Sequence, residues 1–169
     1  MDANMISLSC QTKVMRSSTN KPLLQIIVKS RLAMELFVPD AGCNSYIVIS
    51  ITTPGDDDAT ISQDDRLLGI LPLSFYVPLE DAAEEGDFSI THASTMWSFV
   101  QKHIESIDTI VVHCDQGVCR SYTIAAAIAY WLTGYDASLN SERPFEPYIY
   151  NTMLDAAPPE LKETRSIAK

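Results

Sequence analysis

A single-domain α/β fold is predicted, a central sheet of four or five strands flanked by helices in three layers, and three observations predict it. Short apolar, β-branched segments alternate with helical patterns along the chain. One such segment, Thr109 to His113, leads through a glycine-bearing loop directly into an apolar helical stretch that starts at Arg120. The 169 residues, 46% hydrophobic and 20% charged, suit one buried core spanning 1–169, with 1–20 and 158–169 peripheral.

The strand segments are Leu23 to Val28, Tyr46 to Thr52, Leu67 to Val77 and Thr109 to His113. A first helix is expected over Arg31 to Val38, with Leu32, Ala33, Leu36 and Phe37 sharing a face and Asp40 to Asn44 as the break. Thr53 to Asp58 reads as a solvated turn, too short for the spaced ligands of a calcium loop. From Thr91 to Ile104, the residues Ala93, Met96, Trp97, Val100 and Ile104 form one stripe, with Ser89 or Thr91 as the cap. Arg120 to Leu132 is apolar nearly all round and is followed by Gly134, so a central buried helix is expected there. A last helix from about Pro147 to Ala156 closes before Pro158-Pro159, and a polar tail follows.

A net charge of -10 argues against nucleic acid or an anionic membrane as partner, because either needs a basic surface. An anionic substrate then needs a concentrated local trap. No apolar run approaches the roughly 18 residues that span a bilayer. Met1 to Met5 lacks the basic start and apolar block of a secretory signal, so the cytoplasm is the expected location. Cys10, Cys43, Cys114 and Cys119 show no disulfide-scaffold spacing and are expected to be reduced.

The trap is the run His113-Cys114-Asp115-Gln116-Gly117-Val118-Cys119-Arg120-Ser121. Backbone N–H groups of Asp115, Gln116, Gly117, Val118, Cys119 and Arg120 can turn inward around one phosphoryl group, and Gly117 allows the bend. Cys114 is the nucleophile, active as a thiolate. The helix N-terminus favours that anion by up to about 2 kcal/mol, and loop N–H groups, Arg120 and the Ser121 hydroxyl add to it. The Arg120 fork suits two equatorial phosphoryl oxygens, a geometry that lysine lacks. Asp115 has the wrong sign to help the thiolate, so its side chain is expected to point outward.

This run resembles the active-site signature of the protein tyrosine and dual-specificity phosphatase superfamily: His-Cys, five residues, Arg, then Ser or Thr. The wider context, from about Tyr46 to Leu154, is similar to small bacterial-type members, including Ile-Ser-Ile-Thr-Thr-Pro-Gly at 49–55. The resemblance implies the phosphatase fold, a phosphorylated protein or peptide as substrate, and no cofactor or metal. It also implies a phosphocysteine at Cys114 that water hydrolyses, with Ser121 assisting release of the thiolate. His113 is expected to orient the loop. The superfamily's general acid is an Asp roughly thirty residues before the cysteine. Leu79-Glu80-Asp81 resembles the Phe-Asp-Asp of bacterial members and makes Asp81, 33 residues before Cys114, the first choice; Asp87, 27 before, is the alternative. Family members carry a Pro-Asn pair ahead of the last helix, where this chain has Pro144-Phe145 or Pro147-Tyr148.

Cys119 departs from the small residue usual in dual-specificity members, although the low-molecular-weight phosphatases carry cysteine there. It is either a small filler or a redox partner that traps an oxidised Cys114 as a disulfide. Three other readings of the run stand beside hydrolysis: a phosphate-binding pseudophosphatase or adaptor, an arsenate reductase-like enzyme using Cys114 and Cys119, and a phosphoinositide phosphatase. Enzymes of the last kind resemble versions with lysines in this loop. A zinc site from His113, Cys114 and Cys119 lacks a fourth ligand in the spacing.

Overall fold

The computed structural model describes residues 23–78, 84–135 and 142–166. Four strands, β1 (Gln25–Ser30), β2 (Tyr46–Thr52), β3 (Leu67–Ser74) and β4 (Thr109–Cys114), form one parallel sheet in the order β1-β4-β2-β3. The helices are α1 (Arg31–Glu35), α2 (Ile90–His103), α3 (Arg120–Thr133) and α4 (Pro147–Asp155), with a 3-10 turn at Pro159–Leu161. Among the described residues no helix is long and apolar enough to cross a membrane.

Side-chain alternation divides the sheet into two faces. Ile26, Val28, Ile47, Ile49, Ile51, Ile110, Val112 and Cys114 share one core with α2, α3 and α4. The opposite face carries Tyr46, Val48 and Val111, covered by Met34 and Phe37 of the α1 region together with Cys43 and Ile61. β2 and β4 are buried along their whole length, as expected for inner strands of a parallel sheet.

The α2 stripe packs as its spacing predicts, with Ala93, Met96, Trp97, Val100 and Ile104 all buried. Ser89 caps it, and its amide donates to His92 Nδ1 at 3.1 Å. Trp97 Nε1 donates to the Met153 carbonyl at 2.7 Å and ties α2 to α4. α3 ends at Gly134, whose φ of 71° provides the left-handed C-cap. Pro147 opens α4, where its missing N–H leaves no unmet bond.

Four expectations are corrected. In α1 the buried residue is Met34, whereas Leu32 and Leu36 are 67% and 74% exposed. The helix stops after five residues, and Met34 seats against the second core, so no apolar stripe can develop. β1 lies two residues later than the Leu23 to Val28 segment, in register with β4 so that Ser30 pairs with Cys114. β3 ends at Ser74 instead of Val77: the Phe75 amide still donates to the Thr52 carbonyl, but Pro54 has no N–H to continue the ladder, and the Phe75 carbonyl accepts from Arg120 Nη1. Residues 158–166, polar enough to suggest a tail, are pinned: Leu161 joins the main core, and Arg165 donates to the carbonyls of Ile104 and Ile107 at 2.6 and 3.1 Å.

Candidate active site

All four strands are parallel, so their carboxyl ends gather at one edge, where ligands bind in open α/β sheets. Cys114 closes β4 at that edge, and residues 115–119 connect it to the N-terminus of α3. β1 and β2 flank β4, which brings the α1 start and the Thr52-Thr53 bend beside the loop. The Arg31 amide donates to the Asp115 carbonyl at 3.1 Å and fixes the loop's first residue.

Gly117 has φ 69°, and a Cβ there would meet Ser30 N at 2.4 Å and the Lys29 carbonyl carbon at 2.6 Å. Only glycine accommodates both the left-handed turn and the approach to β1. That turn aims the Gly117 amide at Cys114 Sγ, 3.2 Å away. On the other side Ser121 Oγ lies 3.1 Å from the same sulfur. Cys114 is only 3% exposed, and no acidic residue occupies the first turn of α3. The sulfur therefore meets the Gly117 N–H, the Ser121 hydroxyl and the positive end of a 14-residue helix.

A cavity of about 370 Å³ opens over this sulfur. Of the residues predicted to bind phosphate, Asp115, Gln116, Val118, Cys119 and Arg120 line it with Cys114, while Gly117 shapes the loop from behind. Thr53 and Pro144 complete the wall.

Arg120 Nη1 donates to the carbonyls of Thr52, the last residue of β2, and Phe75, the first residue after β3, at 3.1 and 3.0 Å. Its Nη2 donates to Thr53 Oγ1 at 3.1 Å and to Asp115 Oδ2 at 2.5 Å. The Thr53 hydroxyl donates in turn to Asp115 Oδ2 at 2.8 Å. The expectation that the Asp115 side chain points outward is thereby corrected: it turns in onto Arg120, because the guanidinium and the Thr53 hydroxyl supply donors to its carboxylate. Burial pushes the Asp115 carboxyl up, but the bonds from Thr53 and Arg120 prevail and hold it below the usual carboxylate range.

His113 faces the other side of the sheet, as strand alternation requires, and its Nε2 lies 2.8 Å from Ser50 Oγ on β2. It braces β4 against β2 immediately before the loop through that hydroxyl. Burial pushes its imidazole down to about 4. An unfolded histidine titrates near 6.5, so the unfolded chain takes up this proton first. His113's contribution is complete above that value and is lost as pH falls from 6.5 toward 4. Wild type should therefore lose about 2–3 kcal/mol more unfolding free energy than His113→Gln between pH 7 and pH 4.5. Urea unfolding at the two pH values checks this, and equal losses in both proteins would refute it.

Cys119 is a half-buried free thiol that donates to Glu146 Oε1 at 3.1 Å. Burial and the Glu146 carboxylate push it up to about 12, so it is a neutral thiol at pH 7. Asp87 does not line the cavity; its carboxylate accepts the Glu84 amide at 2.9 Å and closes its own turn beside Gly86. Asp81 lies outside the described residues. Among the described residues no three His, Cys, Asp or Glu side chains are grouped to hold a metal ion.

Two residues at the site were not singled out from the sequence. Thr53 sits in a segment read as a solvated turn, and only its place after a strand adjacent to β4 distinguishes it. Glu146 lies 27 residues from Cys119, with no local signal joining them. No protein-family model, curated protein or solved structure matches the chain.

Proposed function

We propose that the chain is a cysteine-dependent phosphatase of the protein tyrosine and dual-specificity type, in fold as in chemistry, hydrolysing phosphotyrosine and phosphoserine or phosphothreonine in proteins. The observation that carries this reading is Cys114 Sγ held between the Gly117 amide and the Ser121 hydroxyl at the floor of a cavity walled by Arg120. A phosphoryl group seated there meets the nucleophile, loop amides and the guanidinium together.

In the first step Sγ attacks phosphorus, a P–S bond forms and the P–O bond to the alcohol or phenol breaks. Asp81 gives the leaving oxygen its proton. In the second step water attacks the phosphocysteine and gives a proton to the Asp81 carboxylate as the new O–P bond forms, the P–S bond breaks, and the Ser121 hydroxyl donates a hydrogen bond to the departing thiolate. The neutral Cys119 thiol, engaged with Glu146, suits this hydrolysis better than an arsenate-reducing role, which needs a second reactive thiolate.

A second reading, a phosphate-binding adaptor, is favoured by one observation: the Asp87 carboxylate is committed to its own turn. Turnover of an aryl phosphate and a phosphopeptide panel separates the two. Wild type should hydrolyse both substrates, Asp81→Asn should fall by about 10²-fold in kcat, and Asp87→Asn should stay within a few-fold. Absence of turnover by wild type would sink the enzyme reading. A loss in Asp87→Asn matching that expected for Asp81→Asn would move the acid to Asp87.

A further inference from the structure

Arginine has five N–H donors, and four of those of Arg120 are already engaged. Bidentate capture of a phosphoryl group takes two donors along one edge of the fork. Among the described residues only the Nε–H is left over, so one protein partner must leave Nη2 or Nη1 when the ligand arrives. The Thr52 and Phe75 carbonyls are backbone atoms at strand ends and cannot swing away. Thr53 is a neutral hydroxyl that serves Arg120 and Asp115 at once. Asp115 is different: it is an anion, it lines the cavity, and its side chain retains 28% exposure. Its backbone is anchored separately by the Arg31 amide, so the side chain can rotate without moving the loop.

We propose that Asp115 is a built-in anionic competitor for Arg120, whose carboxylate occupies the guanidinium edge that a phosphoryl group takes and must be displaced for substrate to bind. This inference rests on the phosphatase reading of the site and adds a specificity element to it. Two anions cannot share one Nη2 edge without strong repulsion in a partly buried site. A ligand that replaces the carboxylate must bring more charge or more acceptors than the carboxylate does. A phosphomonoester dianion does so through its extra charge and its fit to the loop amides, whereas a singly charged ester is at a disadvantage. The competitor thus favours terminal phosphate groups over diesters.

Titration calorimetry of the full chain with inorganic phosphate tests this, using wild type, Asp115→Asn and Asp115→Ala. The two substitutions remove the charge, and alanine also removes any new donor that an amide would offer. Both variants are expected to bind phosphate about tenfold more tightly than wild type, which corresponds to about 1.4 kcal/mol. Circular dichroism and thermal unfolding establish that each variant is folded. Tightening in the asparagine variant alone would overturn the competition, because the amide would then be a new ligand. Unchanged or weaker binding in both would overturn it too and leave Asp115 as a residue that positions Arg120. Undetectable binding by all three proteins also overturns it, and aryl phosphate turnover by wild type then decides whether the phosphatase reading falls as well.

Discussion

Replacing Cys114 by serine is expected to abolish hydrolysis of aryl phosphate and phosphopeptides, with a loss of at least about 10³-fold in kcat/KM. The exchange is nearly isosteric, and residue 114 sits on an inner strand whose backbone bonds are unaffected. What changes is the nucleophile. Among the described residues the hydrogen-bond partners at this position are not bases: Ser121 is another hydroxyl and the Gly117 N–H is a donor. The Gly117 N–H and the Ser121 hydroxyl stand beside Sγ, and sulfur is a far stronger nucleophile than a hydroxyl oxygen. Unfolding in urea should differ little from wild type. Activity within tenfold of wild type would remove Cys114 from the mechanism and with it the proposed function.

The second large effect is expected from Arg120→Lys, which keeps the charge and removes the fork. A loss of about 10²–10³-fold in kcat/KM should follow, the size seen when one strong oxyanion donor is removed. Lysine offers three donors from one point and cannot face a phosphoryl group along an edge while also reaching two diverging carbonyls. Those carbonyls, of Thr52 at the end of β2 and Phe75 just after β3, let Arg120 also fasten the carboxyl edge of the sheet to α3. Their release should lower unfolding stability by about 1–3 kcal/mol. Kinetics and urea unfolding of the same preparation separate the two consequences. A lysine variant with full activity would show that the guanidinium geometry is dispensable.

Much of the framework was legible because it depends on neighbours in sequence. The stripe from Ala93 to Ile104 and the cap at Gly134 are read from spacing and from glycine's freedom at positive φ, and both are found as read. α1 was misread because five residues cannot express a helical face; the seat for Met34 against Val48 and Val111 exists only once β2 and β4 lie side by side. The end of β3 was misplaced because its apolar run continues beyond the pairing: only the register with β2 sets Pro54, which has no N–H, opposite the Phe75 carbonyl, and that carbonyl accepts from Arg120, 45 residues further on.

By itself the sequence determined the strand-loop-helix unit at the site. His113, Cys114, Gly117, Arg120 and Ser121 are within nine residues, and backbone alternation, the glycine turn and the helix start dictate their directions. Tertiary structure alone decided how that unit is furnished. Thr53 comes to Arg120 because β2 pairs with β4, and Glu146 comes to Cys119 because α4 packs on α3. Asp115 turns inward because a guanidinium and a hydroxyl wait for it there. Arg120 is only five residues from Asp115, but Thr53 is 62 residues away, and the pairing of β2 with β4 alone brings its hydroxyl to the carboxylate.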